Sequence, residues 1–138
     1  MYNEFQNISP IDYRYWDQAV ANYCSEEAFI KYKLRVEVAL VRILAKRKIC
    51  DASVVREIEK ACSKITANEV YKEDERIHHD TRALVNCIRK RVSDKAKPYV
   101  HMMATSFDII DSANALRYRD VIQQVLIPAF TKLEQTLM

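Results

Sequence analysis

Apolar residues recur every three to four positions through most of this chain, a period that predicts a succession of amphipathic helices. From about Ser25 to Lys48, Ile30, Leu34, Val38, Val41 and Ala45 line one face while Val36, Leu40 and Ile43 nearly fill another, so this helix is expected to be buried on more than one side. Ser25 is its expected N-cap, with Glu26 and Glu27 suited to the positive end of the helix dipole and basic residues in the last turn. Asp51 is expected to cap a second helix, in which Val54, Val55, Ile58, Cys62 and Ile65 recur up to about Thr66; the two helices form a predicted hairpin. The highly charged stretch from Asn68 to Arg76 reads equally as a short helix or a loop. Leu84, Cys87, Ile88 and Val92 mark a third substantial helix, which must stop before Pro98. The last element, from about Phe107 to Met138, is the longest, extending roughly 45 Å at 1.5 Å per residue, with Pro128 as a candidate kink. Its stripe of Ile109, Ala113, Leu116, Ile122, Leu126, Phe130, Leu133 and Leu137 meets no Gly stop, and is expected to pack on something outside the shorter helices. Met1 to Asn22 lacks a clean period and, around Ser9-Pro10, is expected to begin as an extended arm anchored by its aromatic residues.

Composition sharpens this reading. Glycine is absent and proline occurs only at positions 10, 98 and 128, so the residues that tight hairpin turns require are missing and the expected fold class is all-α. A length of 138 residues with 49% hydrophobic content suits one domain or a piece of a larger one, and excludes disorder. The 22 basic and 19 acidic residues leave a net charge of only +3, which argues against a dedicated nucleic-acid surface. Cys24, Cys50, Cys62 and Cys87 form no C-x-x-C pair and no zinc-finger spacing, so no metal is expected and a reducing compartment fits. The N-terminus has no signal-peptide core, and no apolar run reaches membrane-spanning length. The expectation is a soluble, cytoplasmic protein.

Three polar clusters carry candidate chemistry. Thr105 and Ser106 stand at the start of the last helix, where free backbone N–H groups and the helix dipole attract anions; they suit a bound carboxylate or phosphate, although local sequence alone favours the plainer reading, in which Ser106 or Asp108 caps the helix. His78 and His79 beside Asp80 combine a group that titrates near neutrality with a carboxylate able to orient it, although the same pattern as often caps a helix start and leaves its polar side chains in solvent. Arg14 beside Tyr15 offers a planar guanidinium suited to phosphate or carboxylate, and His101 adds a further ring ahead of Thr105. Covalent catalysis by Ser106 is not expected, because no nucleophile motif surrounds it.

The segments Pro10-Ile11-Asp12-Tyr13-Arg14-Tyr15, Ser25-Glu26 leading into Leu34-Arg35-Val36-Glu37-Val38-Ala39, Ile77-His78-His79-Asp80, and Tyr99-Val100-His101 through Thr105-Ser106-Phe107-Asp108-Ile109-Ile110-Asp111 resemble, in that order, the N-terminal region of adenylosuccinate lyase, a family of the fumarase/aspartase superfamily. The resemblance covers the whole chain, and the Arg-Tyr, His-His-Asp and His-x-x-x-Thr-Ser-x-Asp segments together separate it from argininosuccinate lyase and fumarase. It implies an N-terminal helical lyase domain over residues 1–108 and the first long helix of a central helical bundle over residues 109–138. It also implies elimination of fumarate from adenylosuccinate to give AMP, and from the succinylated carboxamide ribonucleotide of purine biosynthesis. The implied catalytic residues are His79 and His101, and the implied substrate-binding residues are Arg14, Tyr15, His78, His79, Asp80, Thr105 and Ser106, with Arg14 and Tyr15 on the nucleotide phosphate and Thr105 and Ser106 on the succinyl part. No cofactor is implied, and the full enzyme is expected to be a homotetramer. The family's base, a serine on a mobile loop, and its favoured acid, a histidine of the central domain, belong to segments downstream of those matched here. This chain alone is therefore expected to be inactive. The family pattern usually has glycine where this chain has Met103, and threonine where it has Ser112; methionine resists the positive φ that glycine permits, so the loop is expected either to be reshaped or to use Met103 to fill an apolar gap. The other reading of the chain is a non-catalytic helical module that associates through the apolar stripe of its last helix.

Overall fold

The computed structural model describes residues 12–138. Among them every regular element is helical, in agreement with the all-α expectation: α1 Asp12–Tyr15, α2 Gln18–Cys24, α3 Glu26–Lys46, α4 Ala52–Cys62, α5 Ala67–Ile77, α6 Asp80–Arg89, a 3₁₀ turn Lys97–Tyr99, α7 Ser106–Val121, a π-helical segment Ile122–Leu126 and α8 Ile127–Leu137. No helix among the described residues is long and apolar enough to cross a membrane.

The core forms where the apolar faces of α3, α4, α5 and α6 meet. Val41, Val54, Ile58, Val70, Leu84, Val85 and Ile88 are almost completely inaccessible there, each aliphatic side chain contributing about 1.5–3 kcal/mol by leaving water. Helix α3 packs against α4 on one side and α7 on another, and α5 pairs with α6. Ser25 caps α3 as expected, its Oγ accepting from Ala28 N–H at 3.3 Å. The second apolar face expected on α3 is not buried throughout: Ile43 is 53% exposed, while the charged Lys33 and Glu37, one turn apart, occupy the inward stripe instead.

Other expectations need correction. Part of the arm is helical, because Asp17 accepts from Val20 N–H and starts α2. Tyr15 and Trp16 are exposed rather than anchors, and residues 1–11 lie outside the described residues. Asp51 precedes α4 but makes no capping bond; its carboxylate meets Lys95 Nζ at 2.8 Å. Of the two readings of the charged stretch after Thr66, the helix is the one adopted, as α5, capped by the Thr66 hydroxyl. Helical backbone then runs without a break from Ser106 to Leu137. Pro128 lacks the N–H of an α-helical bond and its ring crowds the carbonyl four residues back; the preceding turn widens, and Ile127 N–H reaches Ile122 O.

Candidate active site

Two ion pairs connect the inward charges of α3 to the loops around it. Lys33, its side chain 4% exposed, places Nζ 2.8 Å from Asp80 Oδ2 at the start of α6, and 4.3 Å from the centre of the Phe29 ring. Partial burial pushes the Asp80 carboxyl up, but the Lys33 ammonium and bonds from Thr81 outweigh it and hold it below the usual carboxylate range. One turn along α3, Glu37 Oε1 lies 2.6 Å from His101 Nδ1, with the Glu37 side chain 1% exposed. The hydrogen bond to Glu37 raises the His101 pKa; burial and Arg82 oppose it, and Asp108 assists. Buried charges of opposite sign thus follow one another along one helix face, Lys33 partnered by Asp80 at the start of α6 and Glu37 by His101 in the loop before α7.

The histidines of the His-His-Asp segment have separate environments. His78 ends α5 in the left-handed conformation, φ 53°, with its N–H on Asp74 O at 2.6 Å, and its exposed ring enters none of the bonds described for this cluster. His79 is the N-cap of α6, its Nδ1 accepting from Arg82 N–H at 3.3 Å. Nδ1 is therefore the acceptor nitrogen, and in the neutral ring Nε2 carries the proton. Asp80 does not orient this ring: Oδ1 is 3.9 Å from His79 Nδ1, beyond a hydrogen bond, and the carboxylate is committed to Lys33 and Thr81.

At the start of α7 Asp108 takes part in a cap as expected, whereas Ser106 does not. Thr105 is the N-cap, and its N–H and hydroxyl both donate to Asp108 Oδ2, at 2.7 and 2.8 Å. Those Thr105 bonds hold the Asp108 carboxyl below its ordinary range. Ser106, at the first helical position, is half-buried. The loop that delivers His101 contains two left-handed residues, His101 at φ 60° and Met103 at φ 59°. The backbone that glycine would favour is thus adopted by methionine, whose side chain is 89% exposed and fills no gap.

The structure therefore gathers Lys33, Glu37, Asp80, His101 and Asp108 at one end of the α3–α6–α7 packing, with His79 beside Asp80. Arg14 and Tyr15 are exposed on α1, and none of the contacts described for His79, Asp80 or His101 includes either. Lys33 and Glu37 were not among the residues singled out from sequence. Their signal was present as two charges at i, i+4 inside the stripe Ile30, Leu34, Val41, where a solvated face would have left them outside.

Known proteins supply the context for this cluster. Over 116 residues the chain is 38% identical to adenylosuccinate lyase from Archaeoglobus fulgidus, an alignment covering 84% of this chain and 26% of the relative. It is 40% identical over 115 residues to adenylosuccinate lyase from Pyrococcus abyssi, covering 82% of this chain and 25% of that protein. The Dictyostelium discoideum adenylosuccinate lyase aligns over 99% of this chain at 29% identity, covering 32% of its own length. This chain is a relative of the adenylosuccinate lyases. No family model matches it, and no solved structure does. The chain spans about a quarter of the length of the archaeal adenylosuccinate lyases it matches. Helix α3 pairs with both the His-His-Asp segment, through Lys33 and Asp80, and the loop ahead of Thr105 and Ser106, through Glu37 and His101.

Proposed function

We propose that this chain is the N-terminal portion of an adenylosuccinate lyase, with residues 1–108 as its helical N-terminal domain and residues 109–138 as the beginning of the central bundle. The reaction is elimination of fumarate from adenylosuccinate to give AMP, and from the succinylated carboxamide ribonucleotide of purine biosynthesis. The observation that carries this reading is the similarity to archaeal lyases, 38–40% identical over more than four-fifths of the chain. We place the protein in the cytoplasm, as a homo-oligomer.

The chemistry needs a base to take the proton beside a carboxylate. As that C–H bond breaks, its electrons form the fumarate double bond, the C–N bond breaks, and an acid returns a proton to the departing nitrogen. Cationic and N–H donors must also hold the dianionic phosphate and the charge that grows on the aci-carboxylate. In this reading His101, paired with Glu37, supplies a cationic ring, and His79 presents Nε2–H at the mouth of α6. Asp80 borders the site and is fixed by Lys33, while Ser106 contributes a hydroxyl for the succinyl part. Thr105 reaches substrate only by exchanging its bond to Asp108. Arg14 and Tyr15 are the phosphate contacts, and His78 lies beside the substrate. The proton-transfer residues belong to segments beyond this chain's matches, so the 138-residue chain alone is expected to release no fumarate.

A chimera tests the reading: this chain replaces the N-terminal quarter of the Archaeoglobus fulgidus enzyme, and fumarate release from adenylosuccinate is measured. Activity within about tenfold of the parent is expected, a loss of no more than about 1.4 kcal/mol in transition-state stabilisation. A chimera that assembles and binds nucleotide but releases no fumarate overturns it. That result favours the second reading, a non-catalytic association module, for which the exposed apolar side chains of Ile122, Leu126, Phe130, Leu133 and Leu137 speak.

A further inference from the structure

Glu37 is an unusual residue to find in the interior of a small helical protein. It lies mid-helix on α3, 2% exposed, among apolar neighbours in sequence, and no hydrogen bond to its Oε2 is described. A buried carboxylate with one oxygen unpartnered is strongly disfavoured unless a cation stands at the other, and what stands there is His101 Nδ1 at 2.6 Å. His101 in turn adopts a left-handed backbone, φ 60°, that a non-glycine residue keeps only when its surroundings hold it. Its side chain is 18% exposed, so part of the ring still reaches the surface.

We propose that Glu37 is a positioning residue for His101: its buried carboxylate fixes the ring through Nδ1 and leaves Nε2 as the atom offered to an anionic group of the substrate. The inference rests on the lyase reading for the substrate and on the geometry alone for the pairing. A carboxylate only accepts, so Nδ1 carries the proton and donates to Oε1. When the ring is cationic, Nε2–H also donates, toward a phosphate or carboxylate oxygen. Three charged groups act on this ring from three helices: Glu37 of α3, Arg82 of α6 and Asp108 of α7. Glu37 and Asp108 favour the imidazolium and Arg82 opposes it; the hydrogen bond that the ring donates to Glu37 is the largest influence. Glu37 thus sets both the direction of the ring and the pH range over which it is a cation.

The test begins with the complete 138-residue chain, labelled with nitrogen-15 and followed by NMR through a pH titration. In the unmutated protein His101 is expected to carry a slowly exchanging Nδ1–H and to titrate above 6.5, the ordinary histidine value. Glu37→Gln keeps a side-chain oxygen but removes the charge, so the midpoint is expected to fall to 6.5 or below while the folded spectrum is retained. An unmutated ring without a protected Nδ1–H overturns the proposal even if the variant fails to fold; so does an unchanged midpoint in a folded Glu37→Gln protein. The active chimera supplies the functional arm. There Glu37→Gln is expected to raise KM most at a pH between the two midpoints that the titrations give and least below both, with kcat changed less than KM. A loss equal at every pH marks a merely structural residue and overturns the positioning role. If the unmutated chimera is inactive, the lyase reading fails, and the ring titration still decides whether Glu37 orients His101.

Discussion

At the scale of single residues, Met103 shows most directly how the chain departs from what its backbone prefers. Left-handed φ brings Cβ close to the neighbouring carbonyl and costs a non-glycine residue roughly 1–2 kcal/mol. Met103 adopts φ 59° with its side chain in solvent, so nothing described around that side chain offsets the strain. Met103→Gly relieves it at the expense of a more flexible unfolded chain. A net stabilisation of about 0.5–1 kcal/mol is expected from urea unfolding; an unchanged or lower midpoint would mean that the loop gains from the methionine in a way the geometry does not show. His101, equally left-handed, is a different case, because the bond from its ring to Glu37 ties it to α3. Neither conformation was legible from local sequence: the absence of glycine argued for a reshaped loop, whereas the backbone is set by what the loop must connect.

At the scale of elements, the α5–α6 pair rests on an inward carboxylate. Glu73 accepts from Arg76 Nη2 at 2.7 Å, Asn86 Nδ2 at 2.8 Å and Lys90 Nζ at 2.7 Å, so one side chain joins α5 to Asn86 of α6 and to Lys90 just past its end. Bonds from Arg76, Lys90 and Asn86 hold its carboxyl far below the usual range. A depressed pKa gives stability that is complete above the unfolded-state value, near 4.5, and lost as pH falls through the folded one. Glu73→Gln removes that dependence. Circular dichroism at fixed urea, from pH 6 to pH 2, should therefore show a shallower loss of helix in the variant than in the parent; parallel curves would show that other carboxylates govern acid unfolding. The ambiguity of the stretch from Asn68 to Arg76 has the same origin. Its charges read as solvated, but Val70 and Glu73 both point inward, and Thr66 caps the turn that starts them.

For the whole molecule, the long helical run divides the apolar stripe in two. Ile109 and Ala113 are buried under α7's own contacts, whereas Phe130 is 67% and Leu137 78% exposed. Exposed apolar area is worth roughly 25 cal/mol per Å² when covered, which favours self-association through α8. Sedimentation at micromolar concentration is expected to find oligomers that Phe130→Asp dissociates; a soluble monomer of the unmutated chain would remove the interface. Helices α3, α4 and α6 and the long final run were legible in the sequence, since a 3.6-residue period, with Ser25 in place as a cap, is local information carried by a few consecutive residues; α2 and the helix that Thr66 caps were not. The histidine and hydroxyl segments were legible too, as motifs. Their partners were not. That Lys33 meets Asp80 and Glu37 meets His101 depends on which faces of α3, α6 and the following loop come together, across separations of 47 and 64 residues. A helical period cannot distinguish a charge at the edge of a stripe from one inside it; only packing against a second element decides whether that charge is solvated, or buried and paired.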